Sequence, residues 1–176
     1  MSGHNKFSKI KHQKAKTDAQ KSKIFTKMVK LISTEAKKAG GNLRSPGLMA
    51  AIEKAKKENM PNDTIDRAVK KASADNSAAM EAVVYESYGP GGVAIIIEAL
   101  TDNRNKAAQE IKFILSKHGS ELAAPGSASW AFTKNHEGWT PSTTMPLEEA
   151  DIAKLQAIIE ELEENDEVQD VFTNAE

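Results

Sequence analysis

The stretch AVVYESYGPGGVAIIIEALTDNRN (residues 82–105) decides the fold, because the helical period of the chain before it gives way here to strands. AVVYESY (82–88) and VAIIIEAL (93–100) are rich in β-branched and aromatic residues and read as strands. GPGG (89–92) between them reads as a tight hairpin connection. TDNRN then turns the chain into a helix expected over residues 103–118, with Asp102 as its cap, Ala107, Ala108, Ile111, Ile114 and Leu115 facing inward, and Gly119 ending it.

Downstream, Ala128, Trp130 and Phe132 alternate in SASWAFT (127–133), the pattern of a half-buried strand. A weaker strand is expected at Gly138–Pro141. A helix opened by Pro146 presents Ile152, Leu155, Ile158, Ile159 and Leu162, and VQDVFT (168–173) supplies a last strand. From Val93 the order is strand, helix, strand, strand, helix, strand. That is the ferredoxin-like order, with 82–88 as one extra edge strand.

Upstream the period is helical throughout. Ile24, Phe25, Met28, Val29, Ile32 and Ala36 form a stripe in a helix expected from about Lys14 to Lys38, closed by Gly40-Gly41. Ser45-Pro46 starts a second helix with Leu48, Ala51, Ile52 and Ala55 inside, and Pro61 a third with Ile65, Ala68, Val69 and Ala72 inside. The fold class is therefore α+β: a basic three-helix domain (1–72), a linker (73–80) and an acidic ferredoxin-like α/β sandwich (81–176). Only Phe7 and Ile10 precede Lys14 as anchors, so the first dozen residues are expected to form a mobile arm.

Charge divides the chain at the same place. Met1–Ala72 holds 18 Lys+Arg against 6 Asp+Glu, net +12, and the remainder is net -13, so the total of -1 conceals two opposite halves. A segment so one-signed repels itself and is complementary to a polyanion. The candidate nucleic-acid contacts are Lys6, Lys9, Lys11, His12, Lys14, Lys16, Lys21, Lys23 and Lys27. Arg104 joins them, because a cation in the first turn of a helix opposes the dipole unless an anion or an acidic neighbour faces it. Gly89, Pro90, Gly91 and Gly92 form a candidate partner-contact loop.

Other chemistry finds little support. With Cys 0 there is no thiolate zinc site, disulfide or cysteine nucleophile. His4, His12, His118 and His136 make no metal-ligand spacing, and EELEENDE (160–167) lacks the calcium-loop pattern. GPGG has neither P-loop nor dinucleotide spacing, and no catalytic triad or carboxylate pair stands out. No cofactor, no metal and no enzymatic activity are expected. Apolar runs such as VAIII (93–97) are too short to cross a bilayer, and a cytoplasmic, monomeric protein is expected.

Five stretches together carry a resemblance: GHNKFSKIKHQKAKTDAQKSKIFTK (3–27), YESYGPGG (85–92), EALTDNRNK (98–106), SKHGSELAAPGSASWAF (116–132) and EELEENDEVQDVFTN (160–174). In that order they resemble the YebC family of probable transcriptional regulators, which includes the mitochondrial translational activator of cytochrome oxidase. The resemblance implies an N-terminal helical domain and two α/β domains, the third inserted within the second. Here SWAFTK (129–134) runs through NHEGWTPSTTM (135–145) into the final helix, as in a short form lacking the inserted domain. Phe7 stands where the family usually has tryptophan.

The resemblance implies two roles, sequence-specific DNA binding and ribosome association that assists translation through proline-rich stalls. The third helix offers Arg67, Lys70 and Lys71 mixed with Asp63 and Asp66, little for reading a major groove. A lysine-rich arm and basic helix suit phosphate positioning on structured RNA. Ribosomal RNA is thus the favoured partner and duplex DNA the second, with a protein-interaction adaptor as a third reading.

Overall fold

The computed structural model describes residues 16–176. The expected arm, with Lys6, Lys9, Lys11, His12 and Lys14, lies outside the described residues. The described chain divides into two compact units, Lys16–Glu81 and Ala82–Glu176.

In the first unit, helix α1 (Asp18–Lys38) starts at a capping box. The Thr17 hydroxyl accepts from the Gln20 amide (3.2 Å) and the Gln20 side chain accepts from the Thr17 amide (2.9 Å), so two amides without a helical partner are satisfied. Asp18 in the first turn and Lys37 and Lys38 in the last suit the helix dipole. The helix closes in a Schellman turn, Gly41 N–H to Ala36 C=O (2.9 Å) and Gly40 N–H to Lys37 C=O (3.2 Å).

Helix α2 (Pro46–Lys57) closes the same way with Asn59 in the left-handed position, Met60 N–H reaching Ala55 C=O at 3.0 Å. Asparagine tolerates that backbone region better than most side chains. Helix α3 (Asn62–Ala74) begins after Pro61. Ile32, Leu48, Ala36 and Ala55 are fully buried where the three helices meet, and the alanines let the helix axes approach closely.

The second unit is built on strands β1 (Glu81–Tyr88), β2 (Ala94–Thr101), β3 (Glu121–Ala123) and β6 (Val168–Thr173), in the order β3-β1-β2-β6. Helices α4 (Arg104–Lys117) and α5 (Glu149–Glu164) pack on one face through Ile95, Ile97, Ile111, Leu115, Leu155 and Ile158. Strands β4 (Phe132–Asn135) and β5 (Gly138–Pro141) form a separate hairpin. With Ala128 and Ala131, Phe132 and Trp139 cover Ala94, Ile96 and Phe172 on the other face. Gly138 is needed for that fit, because a Cβ there would stand 2.5 Å from the Phe172 ring.

The α+β class and the helical and strand regions around 82–105 are as expected, but the strand assignments shift. Residues 82–88 are interior rather than an added edge strand: β1 lies between β2 and β3. Its partner β3 is too short for a periodic signal. SASWAFT is not a strand of the main sheet; Ser129–Ala131 form a 3-10 turn and only Phe132 onward is extended. The cause is Glu86, buried on β1, whose carboxylate accepts from the amides of Gly126 (2.6 Å), Ala128 (3.0 Å) and Ser129 (2.6 Å). Amides converging on one carboxylate cannot also serve a strand ladder. The α4 cap is Asn103, whose side chain accepts from the Lys106 amide, rather than Asp102, and α5 begins at Glu149 rather than beside Pro146.

Candidate nucleic-acid interface

The helical unit Lys16–Glu81 carries 14 Lys+Arg against 8 Asp+Glu, net +6. Some of these cations hold the bundle together. Lys16 Nζ meets Glu58 Oε2 at 2.9 Å, tying the chain that enters α1 to the end of α2. Lys37 Nζ meets Asp75 Oδ2 at 2.8 Å and donates to the Ser77 hydroxyl at 2.6 Å, tying α1 to the chain leaving α3. The Lys37 ammonium, then the Ser77 amide and hydroxyl, hold the Asp75 carboxyl down at about 2. Lys38 pairs with Glu35 (3.3 Å) and Arg67 with Asp63 (3.4 Å).

Lys23, Lys27, Lys30 and Lys37 follow one another at spacings of four, three and seven and so share one face of α1. Within that row Lys27 is only 7% exposed, so its ammonium is withheld from solvent. Lys23, Lys27 and Lys30 each have interactions of their own. Lys21 is exposed on a different side of α1. Together with Arg44, Lys56, Lys70 and Lys71 it makes a set of exposed cations with no ion-pair partner among the described residues.

Beside Lys70 lies a shallow groove of about 470 Å³ lined by Gly41, Leu43, Asp66, Val69, Ser73 and Ala74. Sequence reasoning placed the contacts in the arm and α1, and passed over Arg44 and Lys56. Their freedom depends on where the eight carboxylates fall in three dimensions.

In the α/β unit Arg104 is the first residue of α4, exposed, and its carbonyl accepts from the Tyr85 hydroxyl (3.3 Å). Farther along the same region, Lys106 meets Glu167 at 3.2 Å, and Lys117 and His118 both meet Glu161 at 2.6 Å. Lys117 first, then His118, hold Glu161 below the usual carboxylate range. These cations are compensated locally.

Gly89–Gly92 form a short 3-10 turn, with Gly89 N–H to Val93 C=O at 2.8 Å. Gly91 has φ +68°, and a Cβ there would come within 2.6 Å of Leu147, just before α5. The glycines have an internal structural use. No group of three or more metal-ligating side chains converges among the described residues, and no described helix is long and apolar enough to cross a membrane.

Comparison with known proteins matches the geometry on both units. A family model described as the TACO1/YebC protein N-terminal domain matches residues 5–75. The TACO1/YebC second and third domain model matches in two pieces, 80–137 and 134–175, which meet at the β4–β5 hairpin. A probable transcriptional regulatory protein of Fervidobacterium nodosum is 45% identical over 171 residues, 96% of this chain and 68% of that protein. A protein of the same description from Thermoanaerobacter pseudethanolicus is 52% identical over 136 residues, covering 76% of this chain and 55% of the relative.

Among solved structures, a conserved hypothetical protein of Aquifex aeolicus superposes with a TM-score of 0.78 at 31% identity, covering 95% of each chain. Both named relatives carry the description probable transcriptional regulatory protein. Both units are matched in order by models of one family, and the chain belongs to the TACO1/YebC family.

Proposed function

We propose that this chain is a non-enzymatic, nucleic-acid-binding regulator of gene expression that docks on ribosomal RNA and assists translation. The observation that carries this reading is the set of exposed cations, Lys21, Arg44, Lys56, Lys70 and Lys71, left without carboxylate partners among the described residues of the helical unit. A cationic surface gains by releasing counterions from a phosphate backbone, whatever the base sequence. The lysines outside the described residues, Lys6, Lys9, Lys11 and Lys14, with His12, extend the same charge. Lys16 is tied to Glu58 within the bundle and Lys27 is buried, while Lys23 lies on the face of α1 that the row of lysines shares. Arg104 and the Gly89–Gly92 turn contact a different part of the ribosome. As a short form without the inserted domain, the protein acts in the cytoplasm as a monomer.

Sucrose-gradient sedimentation of lysate with and without ribonuclease tests the reading. Co-migration with ribosomes or subunits that ribonuclease abolishes is expected; migration only as free protein overturns it. With about six phosphate contacts, affinity for ribosomal RNA drops roughly a thousandfold between about 50 and about 200 mM salt. A flat salt response counts equally against the reading.

A second reading is favoured by the description of the relatives as probable transcriptional regulatory proteins: binding to a preferred duplex DNA sequence, with α3 the candidate reader. Arg67, its best base-contacting side chain, lies 3.4 Å from Asp63. Selection from random duplexes tests it; a recovered site in which each wrong base pair costs about 1–3 kcal/mol supports it, and no enrichment removes it.

A further inference from the structure

The acidic unit offers a surface of the opposite kind. Val84, Glu86 and Tyr88 alternate along β1 and share the sheet face turned away from α4 and α5, while Tyr85 packs into the helix-side core. Strand pairing sets Glu121 directly opposite Tyr88, so their side chains stand side by side on that face. Trp130, carried outward by the 3-10 turn, is 61% exposed, and Tyr88 is 39% exposed.

The polar edges of both rings are already used: Trp130 Nε1 donates to Tyr88 Oη at 3.3 Å, and the Tyr88 hydroxyl donates to the Ser127 carbonyl. What remains for a partner is the ring faces, held in place by a loop that the buried Glu86 carboxylate moors through three amides. Such pre-organisation lowers the entropy cost of binding.

The electrostatics select the partner. Aromatic faces are electron-rich and attract cations. Beside them the Glu121 carboxylate has no partner among the described residues, and Ala82–Glu176 as a whole carries 6 Lys+Arg against 17 Asp+Glu, net -11. A phosphate backbone is repelled from this corner. Among the described residues β3 also lies at one end of the sheet order with no strand beyond it, where an extended segment can run alongside.

We propose that the Tyr88–Trp130–Glu121 corner is a docking site for a cationic, extended peptide segment of a protein partner, an arginine or lysine lying across the rings and pairing with Glu121. This inference stands independently of the ribosomal RNA reading, since Tyr88, Trp130 and Glu121 are none of the residues assigned to RNA and the charge selected is the opposite one.

The test is titration of the full chain with a capped hexa-arginine peptide, followed by the two tryptophan indole N–H resonances and by affinity. Assignment comes from Trp130→Phe. The Trp130 resonance is expected to shift and saturate while that of Trp139, which donates to Glu98 at 3.0 Å, stays in place. Trp130→Ala and Glu121→Gln should each weaken the peptide by about tenfold and leave ribosomal RNA affinity unchanged. Both side chains are exposed, and circular dichroism verifies that the variants fold.

Equal binding by wild type and both variants overturns the proposal. So do shifts spread over Glu160–Glu164 of α5 instead of Trp130, or movement of Trp130 by poly(U) but not by the peptide. Loss of ribosomal RNA binding with peptide binding intact would strike only the earlier reading.

Discussion

The two units reach stability by different means. Of the eleven buried residues in the helical core, five are alanine (Ala36, Ala51, Ala55, Ala68, Ala72). Of the fifteen in the core between sheet and helices, two are alanine and all the rest are isoleucine, leucine or valine. A small alanine-rich core buries less apolar area per residue, and here it sits beneath a surface of net +6 that repels itself. The α/β unit sets larger side chains and a four-stranded sheet beneath its net -11. The smaller core stands to gain more from a bound partner: any polyanion that neutralised the helical surface would add to its stability by mass action.

Four measurements test that contrast. The largest effect is expected from Ile158→Ala, which empties a fully buried position in the α/β core. It should cost about 2–5 kcal/mol, read by hydrogen exchange in peptides of Ala82–Glu176, with peptides of Lys16–Glu81 unaffected. Equal loss in both sets would dissolve the distinction between the units.

Glu86→Ala comes next. It strands the amides of Gly126, Ala128 and Ser129 and should cost about 2–4 kcal/mol, with faster exchange confined to residues 124–132. Burial pushes this carboxyl up, yet the three amides outweigh burial and hold it below the ordinary glutamate value. Because the folded pKa is lowered, the Glu86 contribution is fully present above the unfolded value and is lost as pH falls through the folded one. Acid titration of the wild type should therefore loosen 124–132, and a loop that tightens in acid would contradict the assignment.

The third measurement sharpens the functional side. Reversing Lys70 and Lys71 to glutamate should reduce the slope of log affinity for ribosomal RNA against log salt by about 2, with little change in melting, since both residues are exposed. An unchanged slope would place the RNA surface elsewhere on the molecule.

The smallest effect belongs to Asp75. Held at about 2 against 3.8 by Lys37, it keeps its contribution above the unfolded value and loses it as pH falls from near 3.8 through about 2. Lys37→Met should move the Asp75 titration, followed by carboxyl-carbon NMR, back toward 3.8. A value that stays near 2 would mean the Ser77 amide and hydroxyl dominate.

Much of this molecule is legible in its amino-acid sequence. Amphipathic stripes mark α1, α2, α3, α4 and α5, because helix burial is periodic along the chain and needs no distant partner to be seen. The two strands around GPGG, the strand at 168–173 and the one-signed charge of the first 72 residues are equally plain, and the five motifs mark the TACO1/YebC family.

Tertiary structure alone decided the rest. A three-residue strand, β3, has no period to read, and its pairing made β1 an interior strand. One buried carboxylate, Glu86, gathered amides from about forty residues away and turned an alternating segment into a 3-10 turn, which brought Trp130 to the surface beside Tyr88. Composition counts lysines, but which of them remain free depends on whether a carboxylate lies within about 4 Å in space. That is why the cations at Lys70 and Lys71 stand open while Lys16 and Lys37 are committed to ion pairs within the bundle.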